Sequence, residues 1–407
     1  LPRYRLVARQ PGSFFSSETL LALAAGGVAR AFGAGTFDIR LLGVVHALLL
    51  LWAIGLMVRS AGDLSIGVQG LVAMLLVFLF TDVGYAAPFN SLYTQTASFL
   101  FFMLTCGLAA EAIRRGKLNG ALCAGYFVCG ALFIASRPQE VVHGPVLAVL
   151  GLGLGGFPWR RWWRAPAVWL GVLLCAWSLW CYRSIPDSYR RLALYNTLFR
   201  ELIPNSPDPA RDLADLGLDP SLVRFAKRSP YPLDSPYHDA AFQAQVFGPY
   251  TYGALLRFYA LHPARLGSLI GRTLPSAFRL RPLVLANYTQ ESGKPSRTMT
   301  TRFAWWSDLK LRFARGAAVW LALLLGGNAA LCVYGYRRSS HRGRRVRQGI
   351  AALVVMAVLE YGVAALADIP GDLARHLYVF HAMCDVMIVV DAAWIASLAS
   401  RRTVRLA

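Results

Sequence analysis

Long apolar runs, recurring between residues 41 and 399, leave this chain few folds to choose from. They are about 16–23 residues long, enough for an α-helix to cross a hydrocarbon core about 30 Å thick. In lipid, a backbone can satisfy its own N–H and C=O groups only as a helix or a closed barrel. The alternating segments of about ten residues that mark a membrane barrel do not recur. Composition agrees: of 407 residues, 56% are hydrophobic and 15% charged, against about a quarter charged in a soluble domain. The chain reads as an all-α polytopic membrane protein.

Nine spans are expected, at 41–58, 64–80, 94–113, 119–136, 141–157, 167–182, 317–336, 349–367 and 377–399. Lys and Arg accumulate in the cytoplasmic loops of such proteins. Here Arg59; Arg114, Arg115 and Lys117; Arg160, Arg161 and Arg164; Arg337 through Arg347; and Arg401, Arg402 and Arg405 fall on alternate loops. That bias, rather than nucleic-acid binding, accounts for the net charge of +21. Loops 81–93, 137–140, 183–316 and 368–376 are then assigned to the outer face. Residues 1–40 join them although they are basic, which points to a further span upstream of Leu1. Four regions result: a first outer loop over 1–40, six spans within 41–182, an extracytoplasmic cap over 183–316, and three spans within 317–407 ending in a cytoplasmic C-terminus.

Local signals fill in the loops. Residues 18–34 are too short and too polar to span, and suit an interfacial helix started by Ser16 or Ser17 and stopped by Gly33. Trp159, Trp162 and Trp163 among arginines mark the inner lipid boundary. In the cap, Asn205-Ser206-Pro207-Asp208-Pro209 predicts a turn and helix start, with the helix ending at Gly217. Leu255 to Leu266 has helical spacing interrupted by Pro263. The seven cysteines fall in or at the ends of apolar runs and read as small buried side chains rather than disulfide partners or metal ligands.

Three outer loops carry ionisable groups that the topology brings to one face. The stretch from Thr81 to Gln95 holds Asp82, Tyr85, Asn90 and Tyr93 where a membrane wall meets water. Asp82 is either a helix cap or a carboxylate acting on a polar substrate; the two tyrosines and Asn90 are candidate substrate contacts. Arg137, Gln139 and Glu140 occupy the second loop, with Arg137 a candidate anion ligand and Glu140 a candidate substrate contact. Asp368, Asp372, Arg375 and His376 occupy the last. A cation pair beside a membrane suits a lipid-linked phosphate, to which Arg offers a fork of donors. Within the spans, Glu111 is expected to pair with Arg114 and Arg115. Glu360 and Asp385 could face each other or line a cavity, as a proton relay or, the preferred reading, a buried polar lock. His143 reads as a core histidine. No zinc spacing or Ser/His/Asp order appears, so no metal ligand is assigned.

Several stretches together resemble the GT-C class of integral-membrane glycosyltransferases. Ser17 to Arg40, with Phe32-Gly33 and then Phe37-Asp38-Ile39-Arg40-Leu41, looks like that class's first outer loop. A narrower similarity is to bacterial surface-glycan hexose transferases of the S-layer type. It is carried by Tyr85-Ala86-Ala87-Pro88-Phe89-Asn90-Ser91-Leu92-Tyr93, Tyr195-Asn196-Thr197-Leu198-Phe199, Asn205 to Leu218, Phe258-Tyr259-Ala260-Leu261-His262-Pro263, Ala286-Asn287-Tyr288 and Gly371-Asp372-Leu373-Ala374-Arg375-His376-Leu377.

The resemblance implies a GT-C-like helical bundle with an outer-face cap and a catalytic cavity, in a bacterial cytoplasmic membrane. The donor it implies is a polyprenyl-phosphate sugar, lying in the membrane lipid with its phosphate on Arg137, Arg375 and His376. A glycan, lipid or protein acceptor would enter from the outer aqueous side and lose its proton to Asp82 or Asp372, with inversion at the anomeric carbon. Metal use varies within the class, so a divalent cofactor stays open. The class also places a catalytic carboxylate in the first outer loop, where Glu18 and Asp38 remain here without matching clearly. Relatives tend to carry an acid where Gln95 stands. A lipid-linked glycan flippase, or a non-catalytic subunit of a larger complex, is the alternative from another class.

Overall fold

The computed structural model describes residues 3–4, 14–33, 36–118, 120–155, 166–282, 287–288, 292–367 and 372–406. Trp159, Trp162 and Trp163, the arginines among them, Asp368 and Gly371 lie outside these. Apart from a two-residue ladder pairing Arg3–Tyr4 with Phe37–Asp38 and an isolated bridge between Asn287 and Met299, the described residues are helices and their connections.

Each expected span coincides with a helix, but length divides them. Ile39–Ser60, Gln95–Arg115, Trp305–Tyr336, His341–Ala367 and Tyr378–Ser400 are long and apolar enough to cross a membrane. Ile66–Phe80 and Pro166–Arg183 qualify only together with a further helical segment beyond bends of 56° and 74°. Gly120–Ile134 has 15 residues, about 22 Å at 1.5 Å per residue, short of the roughly 30 Å core, and Gly144–Gly155 is described only as far as Gly155. Among the described residues, five to seven spans rather than nine meet the requirement. The chain is an all-α polytopic membrane protein.

The helix ends follow local chemistry. Ser16 caps Ser17–Ala31 by accepting from Glu18 N, and Gly33 just beyond has φ +76°, a conformation glycine adopts without strain. Asp38 caps Ile39–Ser60 through Arg40 N. Gln95–Arg115 stops at Gly116, φ +73°. Asp208 caps Pro209–Asp215, Gly217 follows with φ +73°, and Pro263 opens a second helix, Pro263–Thr273, where Tyr252–Leu261 ends.

Two large apolar cores result, with a small third at Ala25, Phe37, Ile39 and Leu42. The larger joins the membrane helices around Phe80, Tyr85, Phe99 and Tyr378, with the Tyr85 and Phe99 rings stacked at 4.9 Å. The smaller runs from Leu194 to Leu269 around Tyr195, Phe199, Phe242 and Phe258. Ion pairs brace it: Arg265 to Asp212 at 2.9 Å and Arg272 to Glu201 at 2.7 Å. The second half of the stretch 183–316 packs differently, since Ala277, Phe278, Leu280 and Trp306 belong to the membrane core.

Several charges inside the bundle are matched by partners from other turns of the chain. Glu111 takes Arg114 and Arg115, both at 2.7 Å, as expected from their spacing. Asp385 does not face Glu360. Its carboxylate accepts from Lys310 Nζ and the Tyr85 hydroxyl at 2.7 Å, and from Trp306 Nε1 at 2.8 Å. Asp385 and Lys310 are 0% and 4% exposed, so removing one partner strands a charge, at a cost of about 3–5 kcal/mol. Asp385→Ala should therefore destabilise by about that much in denaturant unfolding in detergent. A Lys310→Met/Asp385→Leu double variant should recover most of the loss.

Candidate functional site

Glu140 and its neighbours form the densest group of ionisable side chains. Pro138 opens a tight helical turn, Pro138–His143, after the extended Arg137. Residues three apart on such a turn share a face, which puts Glu140 and His143 on the same side. The last turns of His341–Ala367 bring Glu360 against them. His143 Nε2 lies 2.9 Å from Glu360 Oε2 and 3.5 Å from Glu140 Oε2. All three side chains are fully buried. Burial first, and then the Glu360 carboxylate, push the Glu140 carboxyl up to about 7.

Gln139 ties this buried group to the last loop. Its Nε2 donates to Glu360 Oε1 and, at 2.9 Å, to the His376 carbonyl. His376 Nδ1 lies 3.0 Å from Arg137 Nη2 and 3.2 Å from Gln139 Oε1, and its Nε2 lies 3.2 Å from Arg375 Nη2. Arg375 is also paired with Asp372. Burial opposes ionisation of Asp372, yet the hydrogen bond from His376 and the Arg375 charge prevail and hold its carboxyl below the usual range. Arg137, Arg375 and His376, expected from loops far apart in sequence, thus meet. Two of their donors, Arg137 Nη1 and Arg375 Nε, are buried without an acceptor.

The first-loop residues have other places. Asp82 is 3% exposed, and its two oxygens are occupied by backbone. Oδ1 accepts from Gly84 N at 2.7 Å, and Oδ2 from Trp306 N and Ser307 N at 2.9 and 3.0 Å. Helix Trp305–Arg312 begins at Ala304, which has no side-chain cap of its own; Asp82 supplies it from across the fold. The capping alternative describes its contacts, which take one acceptor position on Oδ1 and two on Oδ2. Tyr85 is fully buried with its hydroxyl on Asp385, which makes it a core residue rather than a substrate contact. Tyr93 and Asn90 are exposed, and Asn90 Oδ1 fills the space beside Gly43. Glu140, expected to touch substrate, is instead enclosed.

A second buried link ties helix Ser17–Ala31 to the bundle. Glu18 Oε2 accepts from Ala97 N at 3.1 Å, and its Oε1 is 3.2 Å from His46 Nε2. His46 Nδ1 in turn lies 2.9 Å from the Phe89 carbonyl. His143 was passed over as an ordinary core histidine. The available signal was Glu140-Val141-Val142-His143, a Glu-x-x-His spacing that in helical bundles can aim two ligands inward. Nothing in the sequence marked Lys310 or Trp306.

The fold and this polar group define a membrane protein with an ionisable cluster at one end of its helices. The chain belongs to the family described as the YfdI N-terminal transmembrane domain, which matches residues 3–405; YfdI is a GT-C-like glycosyltransferase family. No curated protein and no solved structure matches the chain.

Removing the Asp82 carboxylate leaves three backbone donors without their acceptor. Asp82→Ala should cost about 2–4 kcal/mol, seen as a lower unfolding midpoint and faster proteolysis near residues 300–308.

Proposed function

We propose that the protein transfers a sugar from a polyprenyl-phosphate donor to an acceptor at the outer face of the membrane. The observation that carries this reading is the row of cationic side chains around His376, in which Arg375 Nε is buried without a hydrogen bond and Arg137 Nη1 has only the Glu140 carboxylate, 3.8 Å away. Buried donors without partners cost free energy, and a phosphate monoanion or dianion would satisfy both. Arg suits that role because its fork matches phosphate oxygens. Membership in a GT-C-like family supports the same class of reaction.

An apolar groove supports a lipid donor. Leu274, Leu321, Leu325, Val358, Tyr361 and Phe380 line a cavity of about 290 Å³. The π-bulge at Ala322–Gly326 widens one wall. Val358, Ala322 and Gly326 are exposed at its rim, so the groove opens on the apolar surface. Tyr361 directly follows Glu360, and Phe380 comes shortly after His376. A prenyl tail in this groove would bring its phosphate towards the Arg137–His376–Arg375 row.

Asp372 is the carboxylate we assign to the acceptor. It stays ionised at neutral pH, is 27% exposed, and stands beside Arg375. The acceptor oxygen forms its bond to the anomeric carbon as the bond from that carbon to the phosphate oxygen breaks. The phosphate leaves with the electron pair, stabilised by the guanidinium charges, and Asp372 takes the acceptor's proton.

Transfer from radiolabelled polyprenyl-phosphate hexoses, with the protein in lipid nanodiscs, tests the assignment. Arg375→Ala should reduce donor use at least tenfold with an unchanged unfolding midpoint. Asp372→Asn should lower turnover by about 10²–10⁴-fold, the range for losing a general base. Wild-type turnover in the arginine variant would overturn the phosphate assignment, and wild-type turnover in Asp372→Asn would remove Asp372 as the base.

A further inference from the structure

Glu140, His143 and Glu360 are arranged in a way the proposed transfer reaction does not use. Two carboxylates and an imidazole, all fully buried, place one ligand atom each within 4.8 Å of one another. Like charges at this range in a dry interior repel strongly. Arg137, whose Nη1 is 3.8 Å from Glu140 Oε1, and the His143 imidazole beside both carboxylates are the groups that face them. Both Glu140 oxygens lack a hydrogen-bond donor. A buried carboxylate with four empty acceptor sites is unusual among native groups, and it faces the other two ligands rather than solvent.

We infer that Glu140, His143 and Glu360 form a binding site for one divalent transition-metal ion. The separations fit. Ligand atoms on a tetrahedral ion with arms of about 2.1 Å stand about 3.4 Å apart; His143 Nε2 is 3.5 Å from Glu140 Oε2 and 2.9 Å from Glu360 Oε2. Mixed imidazole and carboxylate donors select Zn²⁺ or Mn²⁺ over Mg²⁺ or Ca²⁺, which take oxygen ligands alone. An outer layer is already present for the carboxylates, since Gln139 Nε2 donates to Glu360 Oε1 and Arg137 lies against Glu140 Oε1. His143 Nδ1 has no acceptor, and a metal-bound imidazole ordinarily donates that proton. The site should therefore bind about 10–100-fold more weakly than one with a complete outer layer. Three protein ligands leave coordination positions open, as in sites that also take water or a substrate oxygen.

The test uses the whole purified protein, stripped with chelator, desalted and titrated with Co²⁺, Mn²⁺ and Zn²⁺. Wild type should hold one equivalent of metal by elemental analysis, and Co²⁺ should produce visible d–d absorption while Mn²⁺ loses its free-ion paramagnetic resonance signal. Glu140→Gln and Glu360→Gln should each weaken binding at least tenfold; His262→Ala, a cap histidine beside Asp215, should bind like wild type. The wild-type Co²⁺ spectrum requires no variant to fold. A wild type that retains less than a tenth of an equivalent and gives no Co²⁺ spectrum overturns the site. So does unweakened binding in a folded Glu140→Gln/Glu360→Gln double variant. These readouts are independent of sugar transfer, so loss of one proposal leaves the other standing.

Discussion

A charge inside a lipid-embedded bundle has no water to turn to, so each one must be met by another part of the chain. Asp385 shows how much of this fold hangs on that demand. Its carboxylate gathers Lys310 and Trp306 from the helix Trp305–Arg312 and Tyr85 from the turn after Ile66–Phe80. Two segments are thereby fixed against the helix beginning at Tyr378. Asp82 then repeats the linkage in the other direction, holding the first turn of Trp305–Arg312 by its backbone. Between them these two acids seat the returning half of the 183–316 stretch in the membrane core.

The same constraint separates support from site. Where a polar group is fully matched, as at Asp385, Asp82 and Glu111, it serves packing. Where matching is incomplete, a buried polar group keeps unused hydrogen-bonding capacity. Arg137 and Arg375 keep unmet donors, and Glu140 keeps unmet acceptors. Gln139 bridges the two groups through Glu360 and His376, so a phosphate on one side and a cation on the other would share a single hydrogen-bonded wall.

Much of the helical framework was legible because its signals are short-ranged. Ser16 and Asp208 accept from donors within their own turn, Pro263 withholds one, and Gly33 and Gly217 accept positive φ on their own account. Pairing of Glu111 with Arg114 and Arg115 was legible for the same reason, since three- and four-residue spacings face each other on a helix. Span number was less so: a run of apolar residues is read along the chain, while crossing depends on unbroken helix length, and Gly120–Ile134 has only 15 residues. The convergence of Arg137 with Arg375 and His376 followed from alternating loop charge.

By itself, the sequence determined that this chain must be a set of membrane helices, where most of them begin and end, and which loops share a face. Apolar length, caps and loop arginines are local quantities, readable along the chain. Only the tertiary structure decided what each polar residue does. Asp82 became a cap because Trp306 and Ser307, 224 and 225 residues away, presented bare N–H groups to it. His143 became part of a three-ligand cluster because Glu360 arrives from 217 residues away. A carboxylate or imidazole takes its role from the charges and donors within a few ångströms, and in a bundle those come from segments that the order of the sequence keeps apart.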